Sequence, residues 1–126
     1  MRALFVDDET EFLELMEKRL ARRNISIATA PDGKTALDML DAALNSGGEM
    51  FQVVVLDVRM PGMDGLETLR RIKDKVPGLP VLLLTGHACM GVAVQGMDIG
   101  AYDYMLKPVA ISELMAKMEE AAGFAV

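Results

Sequence analysis

The sequence has no tryptophan and only one cysteine, Cys89. A single cysteine cannot form an internal disulfide, so a disulfide scaffold is excluded and an intracellular reducing compartment fits. No apolar run approaches the ~20 residues of a membrane-spanning helix, and no basic region followed by a long apolar stretch indicates a signal peptide. We therefore predict a cytoplasmic protein that does not enter a membrane.

Basic residues are also in the minority, with 13 Lys and Arg against 19 Asp and Glu and a formal charge of -6. Binding to a nucleic-acid backbone depends on Lys and Arg contacts, so we expect no nucleic acid to be bound by these residues. The 126 residues are 52% hydrophobic and 25% charged, which is the size and composition of one folded domain. We predict a single domain over residues 1–126.

Strand and helix patterns alternate five times along the chain. Short apolar runs of the kind that form strands buried in a parallel sheet lie at residues 3–6, 25–30, 53–57, 81–84 and 102–106. Apolar residues at helical spacing follow each run, at residues 11–23, 33–44, 66–76, 89–99 and 111–118. This alternation predicts an α/β fold with a five-stranded parallel sheet, helices on both faces and right-handed crossovers.

Four of the predicted strands end in polar side chains, which are Asp7 and Asp8, Asp57, Thr85 and Lys107. The carboxyl ends of parallel strands lie along one edge of a sheet, so we expect these groups to converge. Clustered carboxylates repel one another unless they are protonated or share a cation, and their hard oxygens suit Mg²⁺. Asp57 would then be a nucleophile that forms an acyl phosphate, with Lys107 and Thr85 binding the phosphoryl oxygens.

The motifs FVDDE, LDVRMPGMDG, LLLTGHA and AYDYMLKP, in this order, resemble the receiver domains of two-component response regulators. The match spans essentially the whole chain, and the joint occurrence of the spaced motifs is highly specific. The resemblance implies the doubly wound, flavodoxin-like strand order 2-1-3-4-5. It also implies a signalling switch that catalyses only its own phosphorylation and dephosphorylation, with Asp57 accepting the phosphoryl group from a histidine kinase or a histidine phosphotransfer protein.

The resemblance assigns a metal site as well. Mg²⁺, or Mn²⁺ in its place, would be bound directly or through water by Asp7, Asp8, Asp57 and the backbone carbonyl of Arg59. Lys107 would pair with the phosphoryl group, and the peptide bond between Lys107 and the proline that follows it would be cis.

The resemblance further implies a switch that involves Thr85 and Tyr104. Thr85 would move toward the phosphoryl group while Tyr104 turns inward, which shifts a pre-existing equilibrium toward the active surface. Arg59 and His87 occupy positions that in the family tune the loss of the phosphoryl group to water. The stretch from TGHA to AYDYMLKP is most similar to receivers of nitrogen-regulation-type transcriptional regulators. The fourth helix departs from them, because it has Cys89, Gly91 and Val92 where such receivers usually show acidic or polar residues.

The predicted fourth helix carries more apolar residues than one face can bury, namely Met90, Val92, Val94, Met97 and Ile99. We expect some of them to be exposed, and an exposed apolar patch beside a switch suggests a partner surface. The surface formed by the fourth helix, the fifth strand and the fifth helix is therefore predicted to mediate a homodimer or to contact an output partner.

Two other functions are open at this stage. Aspartyl-nucleophile phosphatases also use an α/β sheet and an acyl phosphate, but they carry a second aspartate two residues after the nucleophile, where this chain has Arg59. A pseudo-receiver is a pure interaction module that normally lacks part of the acid pair, the acceptor or the lysine, all of which are present here. Asp8 or Glu9 also has the simpler interpretation of a cap on the first helix.

Overall fold

The computed structural model describes residues 1–59 and 64–123. Its strands are β1 (Arg2–Val6), β2 (Ser26–Ala30), β3 (Val53–Asp57), β4 (Val81–Thr85) and β5 (Asp103–Leu106). Its helices are α1 (Thr10–Ala21), α2 (Gly33–Ser46), α3 (Gly65–Lys75), α4 (Met90–Ile99) and α5 (Ile111–Ala122), with a short 3-10 turn at His87–Cys89 before α4. The predicted alternation is confirmed with shifts of a few residues at the ends. Pro61 and Gly62 follow the third strand and are turn-forming residues, from which the sequence predicts a loop after Asp57; they lie outside the described residues.

The five strands form one parallel sheet in the order β2-β1-β3-β4-β5, which confirms the predicted fold class. In the register of the central strands, Asp57 lies opposite Leu84, and Thr85 lies opposite Leu106. The strands therefore end at nearly the same level. The residues that follow them share one edge of the sheet.

Successive residues of the central strands face two separate hydrophobic clusters. Leu4 and Val6 of β1 pack in a cluster with buried residues of α2, α3 and α4. Ala3 and Phe5 pack in a second cluster with buried residues of α1 and α5. Both faces of the sheet are thus covered, which explains why the strands read as continuous apolar runs rather than as an alternating pattern.

Helices α2 and α3 begin with aspartate caps. The carboxylate of Asp32 accepts the backbone N–H of Thr35 at 2.7 Å, and that of Asp64 accepts the N–H of Glu67 at 2.7 Å. These bonds satisfy N–H groups that have no partner inside the helix. The hydrogen bond from Thr35 holds the pKa of Asp32 below its ordinary value.

Helix α1 is different, and the prediction that an acidic side chain caps it is wrong. Glu9 is the N-cap residue, but no side-chain hydrogen bond caps the helix. The carboxylate of Asp7 instead accepts the N–H of Glu9 at 2.9 Å, before the helix starts. Both acids contact Lys107, as described below.

Helix α4 forms although it contains two glycines. A Cβ atom on Gly96 would lie 2.4 Å from Cδ1 of Leu83, so glycine at this position lets α4 approach β4 closely. The prediction that some of its apolar residues are exposed is confirmed for three of them, Met90, Val94 and Met97. Val92 and Ile99, by contrast, pack against the core cluster. Among residues 1–59 and 64–123, no helix combines the length and the hydropathy that a bilayer crossing requires.

Candidate functional site

Three carboxylates meet at the carboxyl edge of the sheet. Asp7 and Asp8 follow β1, Asp57 ends the neighbouring β3, and one oxygen of each lies within 4.8 Å of the others. Asp7 is 2% exposed and Asp57 is 7% exposed, whereas Asp8 faces solvent. The adjacency of β1 and β3 therefore brings together the three acids that the sequence singles out.

Lys107, which follows β5, supplies the positive charge of this cluster. Its Nζ lies 2.6 Å from Oδ2 of Asp7 and 3.5 Å from Oδ2 of Asp57. It also lies 3.4 Å from Oε1 of Glu9 and 4.5 Å from the centre of the Phe12 ring. The backbone N–H of Lys107 donates to the carbonyl of Thr85 at 2.8 Å, which fixes the backbone of Lys107 beside the end of β4.

The surroundings perturb the protonation of both Asp57 and Lys107. Burial raises the pKa of the Asp57 carboxyl above its ordinary value of 3.8, and the charges of Asp7 and Asp8 act in the same direction, while the Arg59 N–H and Lys107 oppose them. Burial lowers the pKa of Lys107, but its hydrogen bond to Asp7 and the nearby carboxylates outweigh burial and raise that pKa overall. Lys107 therefore stays charged. The negative charge of ionised Asp57 is only partly balanced by the Arg59 N–H and Lys107.

The oxygen donor set of this cluster fits a hard divalent cation. The cluster has three carboxylates and one ammonium group, which contacts Asp7 and Asp57, so it keeps an excess of negative charge. A divalent cation would offset that excess, and Mg²⁺ prefers carboxylate oxygens at sites that leave positions open for water or phosphate. The acidic cluster can therefore bind a metal ion.

The backbone after Asp57 is held in two ways. The N–H of Arg59 donates to Oδ1 of Asp57 at 3.0 Å, and the N–H of Val58 donates to the carbonyl of Leu84 at 3.3 Å. A Cβ atom on Gly65, the first residue of α3, would lie 2.4 Å from Cα of Val58. Glycine at position 65 thus allows α3 to start directly against the residue that follows Asp57.

This close contact leads to a prediction about stability. Gly65→Ala is expected to lower the free energy of unfolding by about 1–3 kcal/mol, because the added methyl group meets backbone that cannot rotate away. Gly91→Ala is the matched control, since its Cβ would meet nothing within 4 Å and the residue is exposed in α4. The control is expected to gain about 0.5–1 kcal/mol. Urea denaturation of both variants measures the difference, and equal stabilities would contradict the prediction.

The two residues assigned to the switch lie on neighbouring strands. The Thr85 side chain is fully buried, and its hydroxyl donates to the carbonyl of Gly86 at 3.1 Å. Tyr104 in β5 is half-buried and packs against the core cluster beneath α4. The side chain of His87 lies outside the described part of the chain.

The peptide bond between Lys107 and Pro108 is cis, which confirms that prediction. Glu9 and Phe12 contact Lys107, and sequence reasoning missed both roles. The sequence assigns Phe12 to the apolar stripe of the first helix and Glu9 to its cap. The available signal is their place in the sequence, since Glu9 directly follows the acid pair and Phe12 lies about one helical turn further on.

Comparison with known proteins identifies relatives of this chain. A family model described as response regulator receiver domain matches residues 3–119. Transcriptional regulatory protein TctD of Salmonella typhimurium is 39% identical over 118 residues, which are 94% of this chain and 50% of that protein. Response regulator MprA of Mycobacterium avium is also 39% identical over 118 residues, 94% of this chain and 49% of that protein.

Solved structures agree with this result. The receiver domain of NtrX from Brucella abortus superposes with a TM-score of 0.85 at 31% identity, covering 98% of this chain and 99% of that chain. A response regulator receiver domain protein from Clostridium thermocellum gives a TM-score of 0.88 at 30% identity, covering 97% of this chain and 94% of that chain. The chain spans about half the length of the curated relatives it matches.

Proposed function

Because the chain belongs to the response regulator receiver domain family, we propose that Asp57 is the residue that takes up the phosphoryl group. The family function is that of a phospho-accepting signalling switch in two-component systems. The observation that carries the choice of residue is the position of Asp57 at the end of β3, within 4.8 Å of two further carboxylates and 3.5 Å from Lys107.

The chemistry of the proposed reaction is a phosphoryl transfer to a carboxylate. One oxygen of Asp57 forms a bond to phosphorus as the bond from phosphorus to the donor breaks, and the product is an acyl phosphate. The Arg59 N–H holds Oδ1 of Asp57 and so orients the carboxylate. Lys107 lies where its ammonium group can donate to a phosphoryl oxygen and stabilise the charge that develops there.

We propose Mg²⁺ as the ion, with Mn²⁺ as a substitute, and Asp7, Asp8, Asp57 and the Arg59 carbonyl as its ligands. When bound, the ion would neutralise part of the negative charge on the phosphoryl oxygens. The three carboxylates support this assignment because they bring more negative charge to the site than Lys107 can balance. Loss of the phosphoryl group to water, tuned by Arg59 and His87, completes the proposed cycle.

The proposed switch links the acceptor to the surface formed by α4, β5 and α5. Thr85 directly follows Leu84, the register partner of Asp57, so a small shift brings its hydroxyl toward a phosphoryl group there. That shift would break its hydrogen bond to the Gly86 carbonyl. Tyr104 would turn inward at the same time. Both movements would belong to one pre-existing equilibrium between an inactive and an active conformation, which phosphorylation shifts toward the active one.

Receiver domains of response regulators work with histidine kinases and are linked to output domains. We propose a histidine kinase or a histidine phosphotransfer protein as the donor for this chain, a single domain over residues 1–126, a cytoplasmic location and no bound nucleic acid. The exposed side chains of Met90, Val94 and Met97 support a homodimer or partner contact through the α4-β5-α5 face. Membership of the chain in the subfamily of nitrogen-regulation-type receivers stays a prediction.

The experiment that tests this proposal is phosphoryl uptake from acetyl phosphate, followed by a chemical assay of the product. We expect the wild-type protein to gain one phosphoryl group in Mg²⁺ and none in EDTA. Hydroxylamine should then release the group, because it cleaves acyl phosphates and leaves phosphate esters of serine or threonine intact. Uptake that resists hydroxylamine, or no uptake at all, would overturn the proposal.

A further inference from the structure

We infer that Phe12 is a positioning residue, whose ring holds the Lys107 ammonium group beside the phosphoryl acceptor. The inference rests on the proposed function of Asp57 and Lys107. It begins from the contact between the two side chains, since Nζ of Lys107 lies 4.5 Å from the centre of the Phe12 ring. A cation over an aromatic face at this distance is attracted by the negative face of the ring.

The other contacts of Lys107 show why such a group is needed. Its ammonium nitrogen lies 2.6 Å from Asp7 and at nearly equal distances from Asp57 and Glu9, 3.5 and 3.4 Å. The Asp57 side chain is 8% exposed, whereas that of Glu9 is 65% exposed. Lys107 can thus be drawn inward to the acceptor or outward to an acid at the surface.

Phe12 lies where it can restrict these two positions of the Lys107 ammonium group. It is half-buried, and together with Glu9, Lys107 and Ile111 it lines an open groove that runs between α1 and the start of α5. The ring contacts the ammonium group beside this groove, and the lysine side chain is 18% exposed. Without the ring, Lys107 gains room to move away from Asp57 and toward solvent.

The sequence places these groups together through one short segment. Residues 7–12, DDETEF, contain two carboxylates of the cluster, the competing Glu9 and the aromatic ring. Because α1 starts at Thr10, Phe12 lies in its first turn, and from there its ring contacts Lys107, which follows β5. The segment that supplies metal-binding oxygens therefore also fixes the position of the lysine.

The test compares rates of phosphoryl uptake from acetyl phosphate, a small donor that needs no docking surface. Phe12→Leu removes the aromatic face but keeps an apolar side chain, and it is expected to slow uptake about fivefold, which corresponds to about 1 kcal/mol. Phe12→Tyr keeps the aromatic face and should stay within twofold of the wild type, on the order of experimental scatter. Melting temperatures show whether each variant is folded.

The decisive control is a double-mutant cycle with Lys107→Ala. If Phe12 acts through Lys107, Phe12→Leu has no further effect once the lysine is gone. The NMR signals of the Lys107 ε-methylene protons give a second readout, since the ring should shift them upfield in the wild type and in Phe12→Tyr but not in Phe12→Leu.

Three results would overturn the role of Phe12: equal uptake by Phe12→Leu and the wild type, the same fold-loss in both lysine backgrounds, or no upfield shift in the wild type. All three leave the proposed function standing, because wild-type uptake is measured in the same experiment. A wild type that takes up no phosphoryl group would instead contradict the proposed function.

Discussion

Asp57→Asn is expected to reduce phosphoryl uptake from acetyl phosphate at least about hundredfold, because an amide is a far weaker nucleophile than a carboxylate. Asparagine has nearly the same shape, so the Arg59 N–H keeps an oxygen acceptor and the strand end is preserved. Asp64→Asn is the matched control. Asp64 follows the same strand but caps α3, a role that asparagine also fills, so this variant should take up phosphoryl groups at the wild-type rate.

The same substitution is expected to stabilise the protein when no metal is present. The pKa of Asp57 is raised in the folded state, so its contribution to stability is fully present below the ordinary value of 3.8 and is lost as the pH rises through the folded-state pKa. The asparagine side chain that replaces it does not ionise. In EDTA, the melting temperature of Asp57→Asn should therefore exceed that of the wild type by a margin that grows as the pH rises above the ordinary value of 3.8 and levels off once Asp57 is fully ionised. A margin that shrinks with rising pH would contradict this explanation.

Mg²⁺ is expected to have a large effect on the stability of the wild type. A cation that binds only the folded state at one hundred times its Kd adds about 2.7 kcal/mol to the free energy of unfolding. The physical reason is that it offsets repulsion among three carboxylates that one lysine leaves incompletely balanced. Urea denaturation with Mg²⁺ and with EDTA measures the gain.

The gain should depend on the acids of the cluster and on no others. Asp8→Ala removes an exposed carboxylate without opening a core cavity, and it is expected to lose most of the stabilisation by Mg²⁺. Asp74→Ala, an exposed acid of α3 that lies outside the cluster, should keep all of it. The same Mg²⁺ gain in both variants would contradict a metal site at this edge of the sheet.

Much of the fold follows from local sequence patterns. The strand at 53–57 is apolar on both faces, and the structure shows why, since alternate residues enter two different clusters. The convergence of Asp7, Asp57 and Lys107 also follows from the sequence, because parallel strands in neighbouring positions must end at one edge. These features depend on strand direction and order alone.

Other features depend on packing between distant segments and could not be predicted. The contacts of Lys107 with Glu9 and Phe12 join residues almost a hundred positions apart and depend on where the first turn of α1 comes to lie. Val94 is exposed and Val92 is half-buried because of how α4 is rotated about its axis. A helix with apolar residues on all sides does not specify that rotation.

The central claim is that Asp57 itself carries the phosphoryl group, and borohydride reduction tests it most directly. The reagent reduces an acyl phosphate to an alcohol, which converts the phosphorylated aspartate to homoserine and lowers the mass of its peptide by ~14 Da. After incubation with acetyl phosphate and Mg²⁺, fragmentation of the peptides should place homoserine at position 57 and at no other acid. Homoserine at Asp7 or Asp8, or an unchanged Asp57 in protein that has gained a phosphoryl group, would contradict the claim.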